Sequence, residues 1–180
     1  MARVRLIPSS ELPPHAAQIY EDYASDYGPF RNQAAVMAHV PAATHIMQML
    51  MELKRERNIN WRYVELAIVV TSKLNACHYC VGHHTEPLMV EGLSQEAIDI
   101  LPEIHPELDD VDRLVVDYTV AVTKNAQRIP QSMFDRLRMR FSEAEVVELT
   151  LRIALCGFFN RFNDALQVDD ELLTVAEAAE

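Results

Sequence analysis

The sequence predicts an all-α fold, and three observations carry that expectation. Only four glycines occur in 180 residues, apolar positions recur mostly at helical intervals, and alternating apolar-polar stretches of strand type are short and few. With 49% apolar residues the chain has ample material for a core. Its length suits one domain of ordinary size, at roughly 100–200 residues per domain.

The elements follow in order. Pro13 and Pro14 can open a helix, because proline is preorganised for the first turn, and the helix runs to about Tyr27, where Gly28-Pro29 would end it. Pro41 opens another that carries Ile46, Met49, Leu50 and Leu53. Asn60 caps a third, holding Val64 and Ile68; its β-branched run Ile68-Val69-Val70-Thr71 would also suit a strand, but the flanking spacing favours helix. Asn75 is expected to cap the next helix, which contains two cysteines, and Glu91-Gly92 to end it with a left-handed glycine. A short helix follows Ser94. Pro102, Pro106 and Asp109-Asp110 mark a loop and a new start, after which Leu114, Val115, Tyr118 and Val122 keep helical spacing until Pro130 interrupts. Ser142 with Glu145 matches a capping box and opens a long helix through roughly Leu166, with Val146, Leu149, Ile153 and Leu155 to Phe159 able to line a core. From Asp169 the chain turns acidic and Ala-rich, and fraying is expected.

Charge narrows the partners. Acidic residues outnumber basic ones 27 to 16, a formal net charge of −11, which offers no positive field to a phosphate backbone or an anionic bilayer. Nucleic acid and membrane surfaces are therefore not expected as partners. Arg3 and Arg5 sit near the start, yet no apolar stretch there suits a signal peptide, and no run approaches the ~20 residues of a membrane span. We expect a cytoplasmic, soluble protein. Three cysteines without a secretion signal argue against a structural disulfide framework and leave the closely spaced pair to redox or metal chemistry.

That pair is the sharpest chemical signature in the chain: Glu65, then Cys77-His78-Tyr79-Cys80, then His84. In a helix starting just before Cys77, the side chains of Cys77, Cys80 and His84 project from nearly one face. Unsatisfied N–H groups at the helix start favour thiolate over thiol. Glu65 lies on the preceding helix in the apolar run Val64-Glu65-Leu66-Ala67-Ile68, where an unpaired carboxylate is costly to bury. A turn near Leu74 to Ala76 would bring it to the thiol and imidazole groups.

Local physics does not choose between the thiols, because Cys77 is nearer the helix start while Cys80 is one turn from His84. Structural zinc on Cys77, Cys80 and a histidine lacks an evident fourth ligand, unless Cys156 or His78 supplied it. Haem attachment fails because Val81, not histidine, follows Cys80. No metal or organic cofactor is expected. His78 and His83 lie off the Cys80–His84 face and are read as local modulators or solvent-facing groups. Cys156, in the apolar run Leu151 to Cys156, reads as a buried, inert thiol. Met47, Met49, Met51 and the pair Phe158-Phe159 suit core or subunit-interface packing.

The pattern of Glu65, eleven residues, Cys77-x-x-Cys80, three residues and His84 resembles the motif of the carboxymuconolactone decarboxylase superfamily, in particular its alkylhydroperoxidase D-like branch. The Gly92-Leu93-Ser94 turn and the segment Asn160-Arg161-Phe162-Asn163-Asp164 are similar to those of relatives of about this length. The resemblance covers Pro41 to Val168. It implies a single alkylhydroperoxidase D-like domain over residues 1–180, with its core at about 41–168 and a helical extension at 1–40, assembling into trimers or hexamers. It further implies a peroxidase in which Cys80 attacks a hydroperoxide, Cys77 resolves the product, Glu65 and His84 relay protons, and an external dithiol of lipoyl or thioredoxin-like type restores the pair. Tyr79 stands where the best-studied hydroperoxidases have a histidine, which removes one component of the relay. Two further departures, Gly82 beside the thiols and Pro87 within the helix, bear on local geometry. Two alternatives remain: the lactone decarboxylation of the wider superfamily, which does not require a cysteine pair, and a non-catalytic, disulfide-switched module.

Overall fold

The computed structural model describes residues 2–172, and these residues form helices and connecting turns with no strand among them. They divide into two compact units, one of residues 2–57 with 163–172 and the other Asn58–Phe162.

In the first unit, Pro14 occupies the first turn of α1 (Pro14–Asp22). The helix continues as a π-helical segment, Tyr23–Tyr27, so its extent is as expected although its last turn is wider. Gly28 follows because a Cβ there would meet the Phe30 ring at 2.7 Å. Next comes α2 (Arg31–Met37), which periodicity did not announce: it is short, has no side-chain cap, and depends on burial rather than propensity. Its Gln33, 3% exposed, accepts from the Tyr23 hydroxyl at 3.0 Å and donates to Asn163 Oδ1 at 3.2 Å. A 3-10 turn at Pro41–Ala43 leads into α3 (Thr44–Glu56), with Met47 and Leu50 buried. Asp169 and Glu171 are held by Asn32, whose side-chain amide reaches Asp169 O at 2.9 Å and whose backbone N–H reaches Glu171 Oε1 at 3.1 Å. Asp169 and Glu171 are thus anchored, contrary to the fraying expected from Asp169, and residues 173–180 lie outside the described residues.

The second unit is built around α4 (Trp61–Leu74). Asn60 caps it by accepting from the Arg62 N–H at 3.0 Å. Val64, Leu66, Ala67, Val69 and Val70 are all fully buried, which explains why the β-branched run adopts helix: a helix buried on several faces tolerates residues that a solvated one would not. It packs against α5 (His78–Val90) and α7 (Asp110–Asn125). Arg62 fixes its start, with a two-pronged bond to Asp112 at 2.9 and 2.7 Å and a third to Glu91 O at 2.8 Å. Gly92 is left-handed at φ 94° and ends α5 as expected; the helix runs through Pro87. Ser94 caps α6 (Gln95–Ile100), and Asp109 with Asp112 forms a capping box on α7.

Beyond Pro130 lies an element the spacing did not predict, α8 (Gln131–Arg138), which buries little apart from Leu137. Ser142 and Glu145 form the expected capping box on α9 (Glu143–Leu166). Leu149, Ile153 and Phe159 of α9 are buried, but Phe158 is 42% exposed, because one residue turns the side chain about 100° around the helix. No helix among the described residues is long and apolar enough to cross a membrane.

Candidate active site

The turn between α4 and α5 sets the site. Asn75 does not cap α5; it is the C-cap of α4, and Cys77 is the N-cap of α5. The shift has a local cause. Ala76 takes φ 57°, its N–H donates to Lys73 O at 3.1 Å, and the Cys77 N–H donates to Ser72 O at 2.9 Å. These two bonds form a Schellman motif, in which the left-handed position normally falls to glycine. An alanine there costs on the order of 1–2 kcal/mol, which the surrounding structure must hold in place. Cys77 is then extended, at φ −85° and ψ 97°, and its carbonyl accepts the Val81 N–H at 3.1 Å.

This turn lays the two thiols side by side. Cys77 Sγ and Cys80 Sγ are 3.2 Å apart, within a sulfur hydrogen bond in which Cys77 donates, and no disulfide joins them. Both are buried, Cys77 at 0% exposure and Cys80 at 5%. Because α5 folds back along α4, Glu65 comes to His84: its Oε2 lies 2.7 Å from His84 Nδ1. Glu65 is 2% exposed, so the partner that burial demanded is the imidazole. An Nδ1–H in this contact can donate to the carboxylate, which leaves Nε2 as the other ring nitrogen. Cys80 and His84 sit one turn apart on α5, with side chains on the same side.

The neighbours separate. His78 is exposed, whereas His83 is 3% exposed and its ring lies 4.3 Å from that of Tyr79. The solvent-facing reading of His83 is therefore corrected; the signal available in the sequence was the four-residue spacing from Tyr79 to His83 on one helix. Cys156 is buried, and burial pushes its thiol up to about 12, so it is not a nucleophile near neutral pH. Sequence reasoning missed the groups around it: Ser72, fully buried, lies 3.2 Å from Cys156 Sγ, and Asn160, also fully buried, donates to Ser72 Oγ at 3.1 Å.

Known proteins resemble this chain in sequence and fold. The family model for the carboxymuconolactone decarboxylase family matches residues 40–104, an interval that contains Glu65, Cys77, Cys80 and His84. The uncharacterized protein YdfG of Bacillus subtilis is 25% identical over 132 residues, covering 70% of this chain and 88% of that protein. Among solved structures, an alkylhydroperoxidase core protein from Ralstonia eutropha, an uncharacterized peroxidase-related protein, superposes with a TM-score of 0.77 at 19% identity, over 94% of this chain and 92% of its own. The debrominase Bmp8 superposes with a TM-score of 0.72 at 18% identity, over 88% of this chain and 87% of its own. Motif, matched interval and helical architecture converge: residues 40–104 match the carboxymuconolactone decarboxylase family, and the chain has the alkylhydroperoxidase D-like fold.

Proposed function

We propose that this protein is a cysteine-pair thiol peroxidase that reduces hydroperoxides through a Cys77–Cys80 disulfide, with Glu65 and His84 moving the protons. The observation that carries this reading is the 3.2 Å separation of the two sulfurs. A disulfide needs about 2.05 Å, so closure takes a shift of only about 1 Å. Cys80 is the attacking thiol, because it lies one turn from His84 and is the less buried of the two. His84, held by Glu65, accepts the Cys80 proton. The thiolate then attacks the distal oxygen of ROOH, the O–O bond breaks, and RO⁻ leaves as ROH with that proton. Cys80 is left as sulfenic acid. The Cys77 thiol displaces water from it to form the disulfide, and an external dithiol returns both sulfurs to thiols by exchange. No metal or organic cofactor enters these steps. The physiological reductant is expected to be a lipoyl-type or thioredoxin-like protein, and the chain to act as a trimer or hexamer in the cytoplasm.

The fold shared with a debrominase supports a second electron acceptor at the same dithiol. Reductive removal of bromine from R–Br consumes two thiols and yields R–H, bromide, a proton and a disulfide, so it draws on the same pair. Lactone decarboxylation leaves the pair idle.

Steady-state assays with dithiothreitol separate these readings. Consumption of an organic hydroperoxide that stops on Cys80→Ser supports the proposal. Bromide release without peroxide turnover would move the reading to dehalogenation, and carbon dioxide release from a carboxylated lactone would move it to decarboxylation. Reversible disulfide formation without turnover would leave a redox switch.

A further inference from the structure

Beneath the thiol pair the second unit places polar groups where a core would ordinarily hold hydrocarbon. Asn75 Nδ2 donates to Asn160 Oδ1 at 2.8 Å, Asn160 Nδ2 donates to Ser72 Oγ at 3.1 Å, and Ser72 Oγ and Cys156 Sγ lie 3.2 Å apart. Ser72 and Asn160 are both 0% exposed. A buried amide must find partners on both its oxygen and its nitrogen. Asn160 divides them, its oxygen to one residue of the α4–α5 turn and its nitrogen to another.

The two residues it grips both lie on the α4 side of the strained position. Ser72 supplies the carbonyl that receives the Cys77 N–H, and Asn75 immediately precedes Ala76, the alanine held at φ 57°. Asn160 also lies one helical turn beyond Cys156 on α9, so its own backbone is fixed within a long helix. A rigid helix thereby holds the start of the turn and the residue before its strained position, a conformation that an alanine resists. Cys77 sits at the exit of that turn, as the N-cap, whereas Cys80 lies within α5, on its first turn.

We infer that Asn160 is a positioning residue for the thiol pair: through Asn75 and Ser72 it holds the left-handed turn at Ala76 and so keeps the Cys77 sulfur at the separation from which the disulfide closes. This rests on the redox reading of Cys77 and Cys80 and assigns that site a support that lies 80 residues further along the chain. It also separates two steps. Loosening the turn lowers the effective concentration of Cys77 at Cys80, so disulfide closure weakens while attack by Cys80 on peroxide is left alone.

The test is the equilibrium between dithiol and disulfide, read by acid quench, alkylation and intact mass across a series of dithiothreitol redox ratios. It is run on wild type, Asn160→Ala and Asn75→Ala, with the rate of the first oxidation at Cys80 followed in parallel. Both variants are expected to shift the equilibrium constant three- to tenfold toward the dithiol, with the first oxidation within twofold of wild type. The double variant should shift it no further than Asn160→Ala alone, because both act on one turn. A merely structural role would lower the melting temperature and leave the constant of the folded protein unchanged; constants within 1.5-fold of wild type would overturn the inference. Should Asn160→Ala not fold, Asn75→Ala, on the half-exposed side of the contact, decides alone. Wild type that forms no Cys77–Cys80 disulfide at any ratio would overturn the redox reading itself, a result distinct from an unshifted variant.

Discussion

Two of the carboxylates buried in the second unit, Glu65 and Glu148, are paired in opposite ways. Glu65 meets His84 across two helices at 2.7 Å, and the imidazole keeps 14% of its side chain exposed. Glu148 meets Arg152 along α9 at 3.0 Å, with side chains 5% and 1% exposed, and the Trp61 ring lies 5.2 Å from the guanidinium carbon. The first pair has an imidazole, whose second ring nitrogen can exchange a proton, and an edge toward solvent. The second has a partner that stays protonated under any working condition and no opening at all. Burial of a carboxylate therefore does not mark a reactive group; the partner's ability to exchange a proton does. The Glu148 pair is also incompletely bonded, since Glu148 Oε2 and Arg152 Nη1 have no hydrogen-bond partner among the described residues.

Substitution should pull the two pairs apart. The largest effect is expected from Glu65→Gln, which keeps the shape of the side chain but ends proton transfer through His84. Peroxide-driven oxidation of Cys80 should slow by about 10²–10⁴-fold, with stability changed by no more than about 1 kcal/mol, as stopped-flow oxidation and thermal melts will show. Arg152→Ala should give the reverse profile: about 3–5 kcal/mol of stability lost, because Glu148 is left buried and unpaired, and a near-normal oxidation rate in the protein that remains folded. Replacing both partners together, as Glu148→Leu with Arg152→Met, should recover most of that loss and can exceed wild type by about 1–4 kcal/mol, since a partly satisfied buried pair gains little over hydrocarbon. Denaturant titration checks both. A Glu148/Arg152 double variant that folds but loses oxidation would erase the contrast and bring the second pair into the chemistry.

Smaller effects sharpen the same distinction among the cysteines. Burial pushes the Cys156 thiol up to about 12, so at pH 8 it stays protonated in the folded state. Iodoacetamide should label Cys80 in the native protein and reach Cys156 only after unfolding, as peptide mapping will record. Ala76→Gly should relieve about 1–2 kcal/mol of left-handed strain against about 0.4–1 kcal/mol of added unfolded-chain entropy, a net gain of about 1 kcal/mol that thermal melts will show.

Much of this was legible in the sequence, and the exceptions share a cause. Asn60, Ser94 and the Ser142/Glu145 box announced their helices because capping is local chemistry. Glu65, Cys77, Cys80 and His84 stood out because their residue types and intervals carry meaning without a fold. The start of α5 was displaced because an alanine, not a glycine, takes the left-handed position at 76, and nothing in alanine signals that conformation. The short helices α2 and α8 carry no cap and no long stripe. The burial of Asn160, Ser72 and the Glu148/Arg152 pair was not foreseen for a different reason: polar residues on a helix are assigned to its wet face until the packing shows them inside. Their four-residue ladder on α9, running 148, 152, 156 and 160, was readable as one face, but only the burial of Cys156 and Ile153 identifies that face as the inner one.

Two questions decide the chemistry proposed for the pair: which sulfur meets the peroxide, and whether the other closes upon it. Intact mass and peptide mapping after one equivalent of hydroperoxide, on wild type, Cys77→Ser and Cys80→Ser, test this most directly. Wild type should lose the mass of two hydrogen atoms as a Cys77–Cys80 disulfide, Cys77→Ser should gain oxygen at Cys80, and Cys80→Ser should stay unmodified at Cys77. Oxygen gained at Cys77 in Cys80→Ser, with Cys80 untouched in Cys77→Ser, would contradict the assignment, and wild type unchanged in mass would contradict the redox pair as a whole.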